Sequence, residues 1–225
     1  DRRILPPPTV VAATIYEMAL NEQLLKHTWI TIARFGVGMI VGTIPGILVG
    51  LTMGLFQSVR VVLNPLVAIF YPVPRIALFP LVLILVGLNE TSNIVMIAIG
   101  PFFTMVITAM GAVLNVEPIY LDVAKNFGVK PRQLYFTVTL PAVMPALMSG
   151  VQVSLGLALL GTVAVEFLVS QEGLGYVIWN SWQILSLSRS MAGLVVAAIL
   201  GAACYLLVYW LEKWITPWQQ TARNR

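Results

Sequence analysis

At 225 residues, 59% hydrophobic and only 10% charged against roughly one-quarter charged in a soluble domain, the chain reads as a protein whose solvent is lipid. One cysteine, Cys204, excludes a disulfide framework and a cysteine-rich metal site, and the lone histidine, His27, with nine scattered acids weakens any other metal reading, so no bound metal is expected. The net charge of +4 comes from Lys and Arg at the ends of apolar runs, where lipid head groups account for them better than nucleic acid does.

The chain opens on Asp1 with no cleavable signal, and it is expected to start partway into a longer product, with one or more spans ahead of it. Pro6, Pro7 and Pro8 form a stiff lead-in, and Thr9 is placed to cap a helix running to about Lys26. Glu17, Glu22 and Gln23 interrupt its apolar residues, which fits a helix lying in the outer interface. Five stretches then meet the need for about 20 predominantly apolar residues: Thr28 to Phe56, Val61 to Leu88, Ser92 to Leu114, Leu140 to Val169, and Met191 to Ile215. Residues 1–26 form the lead-in and interfacial helix, 27–216 one transmembrane domain with a long loop at about 115–139, and 217–225 a tail.

Placing Lys125, Lys130 and Arg132 in the cytoplasm puts Arg60, Arg223 and Arg225 there too, and leaves Arg2, Arg3, Lys26 and Arg189 outside. Within the first span Gly38, Gly42, Gly46, Gly50 and Gly54 recur at every fourth position, a stripe that a second helix can approach closely. In the second, Tyr71, Pro72, Val73, Pro74, Arg75 and Pro80 break the segment near the midplane. Backbone freed there must be buried in protein or line a wet cavity. Arg75 at that depth either lines a translocation path or is a structural, snorkelling cation. Arg34 and Glu166 fall in the outer half of the membrane, placed to form a structural ion pair or to act in gating. Cys204 reads as a small packing residue, and Tyr209, Trp210, Trp214 and Trp218 around Glu212 and Lys213 as an interfacial aromatic belt.

The polar loop carries the most specific pattern: Asp122, Val123 and Ala124, then Gly128, then Val138, Leu140 and Pro141. Pro118 suits the first turn of a short helix, Glu117 its positive end, and Gly128 a left-handed close. Small Ala124 beside bulky Phe127 gives that helix a shape for seating in a partner's groove. The run resembles the loop motif of ABC-importer permeases, in which Glu-Ala-Ala, a later Gly and an Ile-x-Leu-Pro mark the helix that docks on the ATPase. Here Asp, Val and Val stand at positions 122, 123 and 138 in place of Glu, Ala and Ile.

The likeness extends over nearly the whole chain and is closest to the nitrate/sulfonate/taurine permeases. It rests on His27, Arg34 and Gly38, on Pro72, Pro74, Ala77, Leu78 and Pro80, on Gly87, Glu90 and Ser92, and on Glu166 with Gly173, Leu174, Gly175 and Tyr176. Arg75 stands where members of that group vary. The resemblance implies an all-α, type I importer permease with five core spans, in a bacterial inner membrane. It implies a homodimer on two ATPase subunits, fed from outside by a soluble or lipid-anchored binding protein. Asp122, Val123, Ala124, Lys125, Phe127, Gly128, Leu140 and Pro141 would couple to the ATPase; Tyr71, Pro72, Pro74 and Arg75, with Arg34 and Glu166, would form the path or gate. ATP and magnesium would sit on the partner and no cofactor on this chain, which has no Gly-rich phosphate loop and is not itself an enzyme. A small anion such as nitrate, bicarbonate, taurine or an alkanesulfonate is the expected solute. The alternative, a self-sufficient secondary transporter or channel, calls for paired broken helices in two repeats, a pattern this sequence does not display.

Overall fold

The computed structural model describes residues 6–20, 23–117, 119, 123, 126–130 and 133–218. Helix α1 spans Pro8–Leu20, α2 Gln23–Leu55, α3 Gln57–Phe70, α4 Phe79–Val86, α5 Glu90–Leu114, α6 Leu140–Leu168, α7 Leu174–Gln183 and α8 Leu187–Ile215. A 3₁₀ stretch, Arg75–Leu78, leads into α4, and a π-type stretch, Leu134–Thr139, leads into α6. Among the described residues four helices are long and apolar enough to cross a membrane, and α3 with the Arg75–Val86 segment forms one further pair bent by 96°.

The glycine stripe sets the centre of the bundle. A Cβ on Gly46 would fall 2.6 Å from the Phe102 carbonyl oxygen, and one on Gly50 would fall 2.5 Å from that of Val106. Gly38 meets Ile97 and Gly54 meets Val113, so the partners rise together and α2 runs parallel to α5. Absence of side chains lets the two backbones touch, which in lipid replaces the hydrophobic drive that water would supply. Gly150 of α6 meets Thr108 while Gly161 approaches Ile97, so α6 is antiparallel to α5. Gly201 against Leu159, and Gln152 bonded to Glu212 at 2.5 Å, make α8 antiparallel to α6.

Because α2 and α5 are parallel, residues 56–89 must return the chain across the membrane. The bent pair makes that crossing: Val67 of α3 packs with Met53 and Val106, and Phe79 and Val82 of α4 pack with Met96 and Val165. Counting the bent pair as one span, the described residues make five crossings, in agreement with hydropathy. A capping box starts α5, with the Ser92 N–H donating to Asn89 Oδ1 at 3.1 Å and Asn89 N–H donating to Ser92 Oγ at 3.4 Å. It places Glu90 in the first turn, where the helix dipole favours a carboxylate.

Three sequence expectations need correction. Thr9 is not the cap of the first helix, because Pro7 offers its carbonyl to the N–H groups of Val10 and Val11. That helix ends at Leu20 instead of Lys26, and α2 already runs from Gln23. The division at 26/27 thus falls inside α2; Leu24 to Thr28 contain no residue that breaks a helix, and Leu24 is buried against Leu174 and Ala197.

Candidate translocation path and ion cluster

His27, Thr31 and Arg34 lie at i, i+4 and i+7 on one face of α2. They meet Glu90 from α5, Glu166 from α6 and the turn from Glu172 to Gly175, at the end of the bundle opposite Leu114 and Leu140. Arg34 Nη1 lies 3.2 Å from Glu166 Oε1 and donates to the Glu172 carbonyl at 2.7 Å. Its Nε and Nη2 grip the Glu90 carboxylate at 2.9 and 2.5 Å. Glu166, 0% exposed, also accepts from the Thr31 hydroxyl at 3.0 Å and from the Gly175 N–H at 2.9 Å. The Thr31 oxygen in turn accepts the Leu174 N–H at 2.8 Å, and His27 Nδ1 accepts the Gly173 N–H at 3.0 Å.

Charges are tolerable at this depth because each is bonded from several sides. Breaking one partner of such a buried pair costs about 3–5 kcal/mol. Two glycines make room for it. Gly173 has φ +116°, and a Cβ at 173 or 175 would run into Glu166. At the rim, the hydrogen bond from Lys26 at 2.5 Å holds the Glu172 carboxyl below the usual carboxylate range. A cavity of about 460 Å³ opens beside the cluster, lined by Arg34, Asn89, Glu90, Asn93, Ser170 and Glu172 among others.

The break between α3 and α4 is a separate place. Tyr71, Pro72 and Pro74 are exposed and Arg75 is half-buried, with its guanidinium against Gly100 of α5. Gly100 lies ten residues along α5 from Glu90 (90 to 100), about 15 Å at the helical rise. Arg75 has no ion-pair partner among the described residues. The structure thus joins Arg34 to Glu166 and keeps both apart from Tyr71, Pro72, Pro74 and Arg75.

At the other end, the Phe127 N–H closes a last turn on the Val123 carbonyl at 3.1 Å, and Gly128 follows with φ +69°. Val123 and Phe127 present exposed side chains, Phe127 at 83%. Leu140 and Pro141 open α6, where Leu140 packs beside Leu51, Met105 and Val143. Asp122, Ala124 and Lys125 lie outside the described residues.

Sequence reasoning did not assign His27, Thr31, Glu90 or Glu172 to the cluster. The i, i+4, i+7 spacing on α2 was a usable signal for the first two. The acids gave none, since Glu90 and Glu172 sit beyond the ends of apolar runs and look like ordinary interfacial charges.

The arrangement defines a class. A chain of the MetNI methionine ABC transporter in an inward-facing conformation superposes with a TM-score of 0.74 at 20% identity, covering 88% of this chain and 98% of that one. A second crystal form of the same transporter gives 0.70 at 20% identity, over 86% and 96% of the two chains. This is the helical fold of an ABC importer's membrane subunit.

The family is set by sequence: residues 42–220 match the binding-protein-dependent transport system inner membrane components, and the chain belongs to that family. It is 30% identical to SsuC of Bacillus subtilis, named for aliphatic sulfonates transport, over 97% of this chain and 79% of that protein. It is 29% identical to the taurine transport permease TauC of Escherichia coli, over 95% of this chain and 80% of the relative. It is also 29% identical to an ABC transporter permease of Methanocaldococcus jannaschii, over 88% and 74%. The chain is an ABC transporter permease that crosses the membrane several times.

Proposed function

We propose that the chain carries a small organosulfonate across a bacterial inner membrane as one half of a permease homodimer, driven by two separate ATPase subunits and supplied by a soluble or lipid-anchored binding protein. The observation that carries the substrate reading is Arg75, a guanidinium at mid-depth beside a broken span, with no ion-pair partner among the described residues. An uncompensated cation there favours an anion in transit. The names of SsuC and TauC supply the chemical class.

In this reading the end holding Arg34 faces outward, and the ion cluster ties α2, α5 and α6 to the loop that a binding protein would touch. The loop ending at Gly128 faces the ATPase, where ATP and magnesium would bind, and Asp122, Ala124 and Lys125 belong to the same docking run. Phe127, 83% exposed in the isolated chain, supports it, since docking would bury the ring. Motion of that helix would pass into α6 through Leu140 and Pro141. A secondary transporter is less well supported, because the described residues contain one bent pair and not two.

The test is uptake by proteoliposomes holding the chain, its ATPase and its binding protein. ATP-dependent uptake of a labelled alkanesulfonate or taurine, unaffected by excess methionine, supports the proposal. Uptake of a cationic or neutral solute in its place would overturn the anion reading.

A further inference from the structure

A second cavity, of about 390 Å³, lies at the same end of the bundle as the ion cluster, between α1, the start of α2, α7 and the start of α8. Its lining is rich in donors. Lys26, His27 and Arg189 bring basic groups, Asn180 and Ser181 bring an amide and a hydroxyl, and Glu17 is the only acid lining it among the described residues. Lys26 is already bonded to Glu172 at 2.5 Å, whereas Arg189 and Glu17 have no ion-pair partner among the described residues. His27 accepts a backbone N–H on Nδ1, so in its neutral form the ring carries its hydrogen on Nε2 as a spare donor.

Ser181 makes the stronger point. It is 5% exposed, it lines this cavity, and its side chain makes no hydrogen bond among the described residues. Its hydroxyl oxygen stays reachable from the cavity, free to donate to or accept from a molecule seated there. Nearby Ser190, by contrast, is committed to the Ile178 carbonyl at 3.2 Å.

The helices that build the cavity also carry exposed apolar side chains: Tyr16 and Leu20 of α1 and Leu25 and Trp29 of α2 are 61–69% exposed. A water-borne ligand has no use for such side chains, but acyl chains descending from a seated head group do. We propose that this cavity is a phospholipid head-group site, with the phosphodiester bound by Arg189, Ser181 and His27 and the ammonium of an ethanolamine directed to Glu17. The bound lipid would pin α1 to α2, α7 and α8, a role independent of the transported solute.

Native mass spectrometry of the purified full-length chain, titrated with dioleoyl phosphatidylethanolamine or phosphatidylglycerol, tests this. One phosphatidylethanolamine per chain should survive detergent washing, and Arg189→Ala should weaken it at least about tenfold, as loss of a charge-assisted bond does. Ser181→Ala should weaken it less, and Glu17→Gln should reduce the preference for ethanolamine over glycerol head groups. Arg189 is exposed, and an unchanged melting temperature of the lipid-free variant would exclude misfolding. Equal retention by wild type, Arg189→Ala and Ser181→Ala would overturn the site. Binding of soluble glycerophosphoethanolamine or inorganic phosphate as tightly as the lipid would overturn its assignment to a membrane source.

Discussion

The Arg34 guanidinium and the Glu166 carboxylate lie 3.2 Å apart, with side chains 7% and 0% exposed. The pair is not symmetrical. Arg34 looks out to the Glu90 carboxylate and the Glu172 carbonyl, both acceptors, whereas Glu166 is ringed by the Thr31 hydroxyl and the Gly175 N–H, both donors. From the sequence, a charge swap is expected to rescue a simple pair. In this setting it should not, because Arg at 166 would face donors and Glu at 34 would face acceptors. Either single reversal should cost about 3–5 kcal/mol, and Arg34→Glu combined with Glu166→Arg should melt no higher than the singles in detergent. Full recovery would show that the surrounding bonds are dispensable.

Gly173 and Gly175 leave no room for a methyl group beside Glu166. Gly173→Ala meets both a φ of +116° and the Glu166 carboxyl, and Gly175→Ala meets the Val163 carbonyl and Glu166 Cβ. Each should lower stability by about 1–3 kcal/mol. Gly156, inside α6 with nothing within 4 Å of an added Cβ, is the control. Gly156→Ala should be neutral or stabilising by up to about 1 kcal/mol. Thermal unfolding of the three variants side by side decides the matter.

Gly128 has φ +69° and open space around it, so its substitution strains backbone without a clash. Gly128→Val should leave the bundle's melting temperature nearly unchanged, since the strain is local and costs about 1–2 kcal/mol. Uptake should fall while the partner's ATPase activity persists. Normal uptake per ATP hydrolysed would remove the loop from the coupling route.

Arg75→Ala tests the path. If the guanidinium meets the anion in transit, uptake should fall by about tenfold or more, the worth of one charge-assisted bond. Assembly with the ATPase should be unaffected, because Arg75 lies far from the loop. Arg75→Lys should recover part of the rate. Wild-type uptake by Arg75→Ala would make the residue a structural one lodged against Gly100.

Much of the fold was legible in the sequence. Hydropathy located the five crossings, the spacing of Gly38 to Gly54 announced the contact that α5 fills, and Pro72 and Pro74 located the bend. The left-handed Gly128 followed from helix-closing chemistry. What was hidden depended on tertiary neighbours. Nothing local separates Glu90, which grips Arg34, from Glu17, which has no ion-pair partner among the described residues. The end of the first helix was missed for a related reason: Leu24 belongs to the first turn of α2, where Leu174 and Ala197 cover it, and that is a fact about α7 and α8.

The most direct test of the central claim is the mass of the assembly purified gently from native membranes. The account predicts two copies of this chain with two copies of an ATPase subunit, and liposomes that take up solute only when ATP is supplied. A chain that purifies alone and moves its solute down a gradient without ATP would contradict it.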